Sequence, residues 1–135
     1  MRGYIVDIET AALENTEFRR VLYTAEHSQL VLMSLQPGED IGAEVHQLDQ
    51  FIRCEAGSGT AELNGESHAV TVGSAIVVPA GSFHNIINGS ADSEMKLYTV
   101  YSPPAHKEGT VHHTKADAEH DEEDNFDPAT VELES

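Results

Sequence analysis

The residues best suited to bind a metal ion or to move a proton lie between Gly38 and Asn88. Glu44 and His46 are two residues apart, so in a β-strand their side chains point to the same face. His84 follows a tight bend and is expected to face inward from the next strand. Imidazole nitrogens suit Zn, Fe, Ni, Cu and Mn, and a carboxylate adds a hard oxygen donor. A buried carboxylate with a raised pKa can instead act as a general base. Both kinds of chemistry are open to this stretch.

The chain around these residues predicts an all-β fold of short strands joined by turns. Turn signals such as Pro37-Gly38, Asn64-Gly65 and Asn88-Gly89 separate runs of aliphatic and β-branched residues. The candidate strands are Tyr4–Ile8, Phe18–Tyr23, Gln29–Leu35, Ile41–Gln47, Gln50–Ala56, Thr60–Leu63, Ser67–Val72, Ala75–Val78, His84–Ile87 and Lys96–Tyr101. A single helical turn is predicted at Thr10–Thr16. Strands that recur about every 8–12 residues are typical of a sandwich or a small barrel, whose interior receives alternate side chains.

Composition limits the class of protein and its partners. The 135 residues fit one domain, and 24 acidic against 7 basic residues give a formal net charge of −17. Nucleic acid and anionic membranes are excluded as expected partners because they are bound by clusters of Lys and Arg. The chain has no apolar run near the roughly 20 residues that cross a bilayer. With no secretory signal and a lone Cys54, a cytoplasmic location is expected.

The acidic residues are concentrated at the C-terminal end. From residue 116 to residue 135 there is no Lys or Arg. We therefore predict a barrel domain over residues 1–115, with its N-terminal strands and a C-terminal extension, and a disordered acidic tail over residues 116–135. The acidity of the whole chain also suggests a salt-adapted source, since strong net charge repels itself unless it is screened.

Two blocks of sequence carry a family resemblance, and the second is complete. It has the pattern Gly, five residues, Pro, one, Gly, two, His, three, Asn, filled here by Gly73, Pro79, Gly81, His84 and Asn88. This pattern resembles the second signature of the cupin superfamily. The resemblance implies the cupin double-stranded β-helix, an RmlC-like jelly-roll barrel.

The first block keeps the family's frame but changes two positions. The superfamily pattern is Gly, five residues, His-x-His, three or four, Glu, six, Gly. Here Gly38, Glu44, His46, Gln50 and Gly57 stand at those positions, so Glu44 replaces the usual first His and Gln50 replaces the usual carboxylate. The resemblance implies that Glu44, His46, Gln50 and His84 hold one divalent transition metal ion, either Zn, Mn, Fe or Ni. The neutral amide of Gln50 is the weakest of these donors, and it is either a labile ligand or a hydrogen-bonding neighbour of the ligands.

The resemblance also implies what the protein does. Small cupins of this kind include sugar-phosphate isomerases, and the chain is similar to proteins labelled mannose-6-phosphate isomerase-like. We therefore expect an isomerase-like enzyme with one Lewis-acid metal, a small oxygenated substrate of sugar or carbonyl type, and a homodimer as the assembly. Glu44 is a candidate catalytic base as well as a candidate ligand. An Fe(II)-type dioxygenase and a non-catalytic cupin module that binds a small molecule or a metal are the alternatives.

Several other residues lie near the candidate ligands in the sequence. Strand alternation places Asp49 on the face opposite to Gln50, which makes it a weak candidate ligand. Cys54 shares the parity of Gln50 and is expected to be a buried apolar residue. Tyr98 and Tyr101 on the last strand are expected to pack in the core.

Three histidines follow the last predicted strand. His106, His112 and His113 could form a second metal site or cap the mouth of the barrel, but a plain surface location is favoured because their spacing matches no closed zinc pattern. The preceding Pro103-Pro104 predicts a stiff, extended exit from the barrel.

Overall fold

The structure, a computed structural model, describes residues 2–121 and the backbone of residues 131–132. The helices are α1 (Ile8–Glu14) and α2 (Lys115–Glu119). The strands are β1 (Arg19–Thr24), β2 (Gln29–Leu35), β3 (Glu44–Val45), β4 (Asp49–Ala56), β5 (Gly59–Leu63), β6 (Glu66–Val70), β7 (Ala75–Val78), β8 (Phe83–Asn88), β9 (Met95–Ser102), β10 (Val111–His112) and β11 (Val131–Glu132). Within these described residues, neither helix is long and apolar enough to span a bilayer.

The strands form two antiparallel sheets that enclose one hydrophobic core. The six-stranded sheet has the order β10-β1-β2-β9-β4-β7, and the five-stranded sheet has the order β11-β3-β8-β5-β6. Val31, Ile52 and Leu97 from the first sheet pack in one cluster with Ala61 and Ile86 from the second. This all-β architecture confirms the predicted jelly-roll barrel.

The side chains that face the core change from polar to apolar along the barrel. One inward row of the six-stranded sheet is largely polar and crosses β2, β9 and β4 through Gln29, Tyr101 and Gln50. The rows further along these strands are mainly apolar, and their members include Val31, Ile52, Ile76, Met33, Leu97, Leu35 and Met95. The polar row across β2, β9 and β4 therefore lies at one end of these strands, and the apolar rows beyond it stabilise the fold by burial.

Most predicted strands occur with bounds that differ by one or two residues, but the strand predicted at Tyr4–Ile8 is wrong. Asp7 instead caps helix α1, because its carboxylate accepts a hydrogen bond of 3.1 Å from the backbone N–H of Thr10. Tyr4, Ile5 and Val6 are exposed, so this apolar run has no core to cover. The short apolar pattern did not distinguish a strand from the approach to a helix.

The predicted strand Ile41–Gln47 is much shorter than expected. Only β3, at Glu44–Val45, forms a regular ladder, and Asp40 makes an isolated bridge to Ile87. Gly42 between them has φ of 99°, a conformation that interrupts a strand and that side chains other than glycine rarely adopt.

The C-terminal part contains structure that the sequence analysis did not predict. β10 pairs with β1, and helix α2 occupies residues 115–119, where disorder was expected from residue 116. The hydroxyl of Thr114 caps α2 by accepting the N–H of Asp117 at 3.1 Å, and Lys115 pairs with Asp40 near the barrel. The backbone of β11 pairs with β3. The rest of the predicted tail, residues 122–130 and 133–135, lies outside the described residues.

Candidate metal centre

Adjacent elements bring the predicted site residues to the polar end of the barrel. Glu44 on β3 is the register partner of His84 on β8, so the two side chains emerge next to each other. His46 follows β3, and its carbonyl accepts a hydrogen bond of 2.7 Å from the N–H of Gly81. Gly81 has φ of 85°, which explains why this bend requires glycine. The bend that precedes His84 therefore also positions His46.

Glu44, His46 and His84 form one compact cluster of possible ligands. A single ligand atom from each residue can be chosen so that all three atoms lie within 4.8 Å of one another. The Nε2 atom of His46 is 3.4 Å from Oε2 of Glu44, and the two imidazole rings have centroids 5.1 Å apart. Of the residues that the structure describes, this is the one His, Cys, Asp and Glu group with such geometry. The carboxylate therefore lies within reach of the same point as both imidazoles, which favours its role as a ligand over a role as a detached base.

His84 is held in the form that binds metals. Its Nδ1 atom is 3.2 Å from the carbonyl oxygen of Ser82, an arrangement in which Nδ1–H donates and Nε2 keeps its lone pair. Burial lowers the pKa of His84, against the opposing effect of the Ser82 carbonyl, so the ring is neutral at pH 7. Its Nε2 atom is fully buried and has no hydrogen-bond partner among the described residues. An unsatisfied buried nitrogen of this kind fits a metal ligand.

Gln50 presents a second buried atom with the same property. Its side-chain amide nitrogen donates to the hydroxyl of Thr99 at 3.0 Å, while its Oε1 atom is buried without a partner among the described residues. Gln50 faces the barrel interior as the register partner of Tyr101, whose ring lies edge-on to His46 at a centroid distance of 6.0 Å. The amide oxygen thus belongs to the same end of the barrel as the three stronger donors.

The structure also shows where the weaker candidates from the sequence lie. Asp49 is exposed and faces away from the interior, where its carboxylate accepts the N–H of Ala80 at 2.9 Å. Cys54 is fully buried in the core, and desolvation by burial raises the pKa of its thiol. Both placements agree with strand parity. Tyr98 is partly exposed beside Phe51, whereas Tyr101 is buried next to His46.

The favoured surface location of the three C-terminal histidines is wrong for two of them. His106 is buried with its ring edge-on to Tyr101, at a centroid distance of 5.1 Å. His112 is buried too: its Nδ1 is 3.2 Å from a guanidinium nitrogen of Arg19, and its Nε2 is 2.8 Å from a carboxylate oxygen of Asp121. His113 is exposed, as predicted. The burial of His106 and His112 comes from contacts with distant strands, which spacing along the chain does not reveal.

Together the fold and this cluster define a class of protein, a β-barrel with a group of side chains at one end that could hold a metal ion. The chain belongs to the cupin family, because the family model described as Cupin domain matches residues 31–101.

Similar proteins come from bacteria and a virus. The chain is 47% identical over 124 residues to protein YrkC of Bacillus subtilis (strain 168), covering 87% of this chain and 66% of that protein. It is 47% identical over 113 residues to protein L612 of Acanthamoeba polyphaga mimivirus, covering 80% of this chain and 70% of that protein. The crystal structure of BH2720 from Bacillus halodurans is similar with a TM-score of 0.84 and 44% identity, covering 87% of this chain and 94% of that chain. The chain thus spans about two thirds of the two sequence relatives and nearly the whole of the solved structure.

Proposed function

We propose that this cupin binds one divalent transition metal ion and uses it to activate a small oxygenated substrate, in an isomerase-like reaction. Glu44, His46 and His84 are the ligands, and Gln50 is a weaker fourth donor. The observation that carries the proposal is the convergence of three ligand atoms within 4.8 Å. Two buried acceptor atoms, Nε2 of His84 and Oε1 of Gln50, have no hydrogen-bond partner in the described part of the chain and support it independently.

The donor set fits such an ion chemically. Two imidazoles suit Zn, Mn, Fe and Ni, and the carboxylate of Glu44 offsets one positive charge. A bound ion supplies Lewis acidity, polarising a carbonyl oxygen and stabilising the negative charge that develops on it. The residues of the chain contribute rigid placement: the Ser82 carbonyl fixes the ring of His84, and Thr99 fixes the amide of Gln50.

The charges around the site favour a neutral or weakly anionic substrate over a sugar phosphate. A phosphate is usually bound by Arg or Lys. Between residues 38 and 95 the sequence has one base, Arg53, on β4. Its side chain is partly exposed and pairs with Glu55 at 2.5 Å, on the opposite parity from the inward-facing Gln50.

Elemental analysis of the full chain, purified without added metal, tests the proposal. We expect about one equivalent of a divalent transition metal, lost in His46→Ala and His84→Ala, reduced in Glu44→Ala and least affected in Gln50→Ala. His68→Ala is the matched control, because His68 lies on β6 with an exposed side chain. No metal in the wild type, before or after incubation with Zn²⁺ or Co²⁺, would refute the proposal.

A rescue experiment tests whether Gln50 addresses the same ion as Glu44. In the double variant Glu44→Ala with Gln50→Glu, the carboxylate is moved from β3 to β4. If both side chains reach one ion, the double variant binds Zn²⁺ more tightly than Glu44→Ala alone, and Gln50→Glu changes the Zn²⁺ affinity by a different factor in the wild type and in Glu44→Ala. An equal factor in both backgrounds would remove Gln50 from the ligand set. Loss of metal in Glu44→Gln would identify Glu44 as a ligand, whereas full retention of metal would favour its role as a general base.

A second candidate function is supported by the composition of the cluster. Two histidines and one carboxylate are the donor set of non-haem Fe(II) oxygenases. Consumption of dioxygen by the Fe(II)-loaded protein, in the presence of a substrate and absent in His84→Ala, would favour this function. Metal binding without turnover of any carbonyl or hydroxy-acid substrate would favour a binding module instead. The homodimer stays part of the proposal, and light scattering coupled to gel filtration measures it directly.

A further inference from the structure

The short strand that carries Glu44 lies between two other strands of the five-stranded sheet. β8 is its neighbour on one side, and the C-terminal strand β11 is its neighbour on the other. Two register pairs join β3 to β8, and two more join it to β11, in which Val131 faces Val45 and Glu132 faces Glu44. The C-terminal strand therefore supplies as many ladder pairs to β3 as β8 does.

The backbone groups of β8 show which residue of β3 bonds to which neighbour. The N–H of Phe83 donates to Oδ1 of Asn64 at 3.0 Å, and the carbonyl of Phe83 accepts the N–H of Asn64 at 2.9 Å, so both groups face the side of β5. The carbonyl of Ile86 accepts the N–H of Ile41 at 3.0 Å, on the side of β3. Successive residues of a strand direct their backbone groups to opposite sides. The backbone groups of His84, like those of Ile86, therefore face β3.

This alternation assigns the two residues of β3 to different partners. Glu44 is the register partner of His84, so its N–H and carbonyl bond to β8. Those of the next residue, Val45, face the opposite way, towards β11, where Val131 is the register partner. Val45 lies between Glu44 and His46 in the chain, so β11 fixes the backbone between two of the proposed ligands.

The anchors on either side of β3 lie outside this pair of residues. Upstream, the N–H of Gly42 donates to Oδ1 of Asn85 at 3.1 Å, and the φ of 99° at Gly42 interrupts the strand. Downstream, the carbonyl of His46 accepts the N–H of Gly81 at 2.7 Å. Between these anchors, the two ladders hold β3, and the one with β11 is the one that engages the backbone of Val45.

We propose that β11 is a positioning element of the metal centre, which pairs with Val45 and thereby sets the backbone from which Glu44 and His46 reach the ion. The inference rests on the proposed metal function. Ligands that are ordered before the ion arrives bind it more tightly, because the cost of ordering them is not paid on binding. The affinity of the barrel for a divalent ion therefore depends on a strand near the C-terminus.

The test uses the full chain and one backbone hydrogen bond. Val131→Pro removes the N–H that bonds to the carbonyl of Val45, whereas the matched control Val131→Ala keeps it. Zn²⁺ affinity is measured by competition with a chromophoric chelator, in the wild type and in the Glu44→Ala and Gln50→Ala backgrounds. Hydrogen exchange at the Val45 amide, followed by NMR in EDTA, measures the strand pairing without metal.

We expect Val131→Pro to weaken Zn²⁺ binding about fivefold and to speed exchange of the Val45 amide at least about tenfold, with Val131→Ala within about twofold of the wild type in both. The fivefold factor should persist in Gln50→Ala, since Gln50 lies on β4 in the other sheet. It should fall below about twofold in Glu44→Ala, where one of the two positioned ligands is already gone.

Three results would count against the inference in different ways. Equal Zn²⁺ affinity in Val131→Pro and the wild type, or the same loss from Val131→Pro in Glu44→Ala as in the wild type, would overturn the positioning role while leaving the metal site standing. Fast exchange of the Val45 amide in the wild type would overturn the pairing itself. A wild type that binds no Zn²⁺ would overturn both proposals.

Discussion

Replacing His84 by leucine should make the metal-free protein more stable while it abolishes metal binding. The ring is fully buried, and its Nε2 atom has no partner among the described residues. Leaving a buried polar atom unsatisfied costs about 1–3 kcal/mol, and the bond from Nδ1 to Ser82 that is lost with the ring contributes about 0.5–1.5 kcal/mol. The net expectation is a gain of about 1 kcal/mol in the free energy of unfolding, with a rise in Tm of roughly 3–6 °C.

Metal should reverse this order of stability. At a free metal concentration of one hundred times Kd, binding stabilises the wild type by about 2.7 kcal/mol, and the variant should gain nothing. Urea unfolding with EDTA and again with Zn²⁺, followed by circular dichroism, measures both quantities. His68→Leu is the control: the same substitution on an exposed strand position should change neither. If His84→Leu is less stable than the wild type in EDTA, the unsatisfied nitrogen is not the cost that we infer from its burial.

Three further predictions concern the barrel and its charge. Cys54 should not react with a thiol reagent such as DTNB in the native state, because it is fully buried and burial raises the pKa of its thiol; reaction at the rate of mixing would contradict this packing. Lys96→Met should lower the free energy of unfolding by about 2–4 kcal/mol, since the buried amine donates to Asn15 and Ser34, whereas Arg20→Met on the exposed face of β1 should stay within about 0.5 kcal/mol. With a net charge of −17, the Tm should rise as KCl screens self-repulsion, and a Tm that is constant up to molar salt would remove the hypothesis of salt adaptation.

The parts of the site that the sequence predicted are those fixed by local geometry. Glu44 and His46 are two residues apart, and the spacing from Pro79 through Gly81 to His84 defines a bend whose consequences are local. Strand parity alone was enough to predict that Cys54 is buried. Strand alternation and turn chemistry therefore predicted most of the strands, because both are properties of a few adjacent residues. The jelly-roll barrel and the set of four candidate ligands were implied by the cupin resemblance.

The parts that the sequence did not predict depend on long-range contacts. His106 is buried because Gln29, 77 residues earlier, binds its backbone. His112 is buried because β10 pairs with β1, where Arg19 lies 93 residues away in the chain. No periodicity within the C-terminal segment signals either contact. The acidic composition that favoured disorder there is also compatible with helix α2. This helix is stabilised by the Thr114 cap and by the ion pair of Lys115 with Asp40, and an average over the composition does not reveal such interactions of single residues.

In the first signature of this chain, the carboxylate stands at the position of the usual first His, and a neutral amide stands at the position of the usual carboxylate. The candidate site therefore keeps one carboxylate, but a different strand carries it. The carboxylate now stands on β3, which pairs with β8 and with β11 over only two residues each, while the neutral amide stands on β4, which forms longer ladders with β9 and β7. Among the strands that carry the candidate ligands, β3 with Glu44 therefore has the fewest ladder pairs, and β4 with Gln50 has the most. A carboxylate on a short strand can shift to suit ions of different radius, whereas a rigid strand imposes a fixed distance. If the proposed metal centre binds an ion, we expect its choice of ion to follow the affinity order and supply of divalent metals more closely than the shape of the cavity.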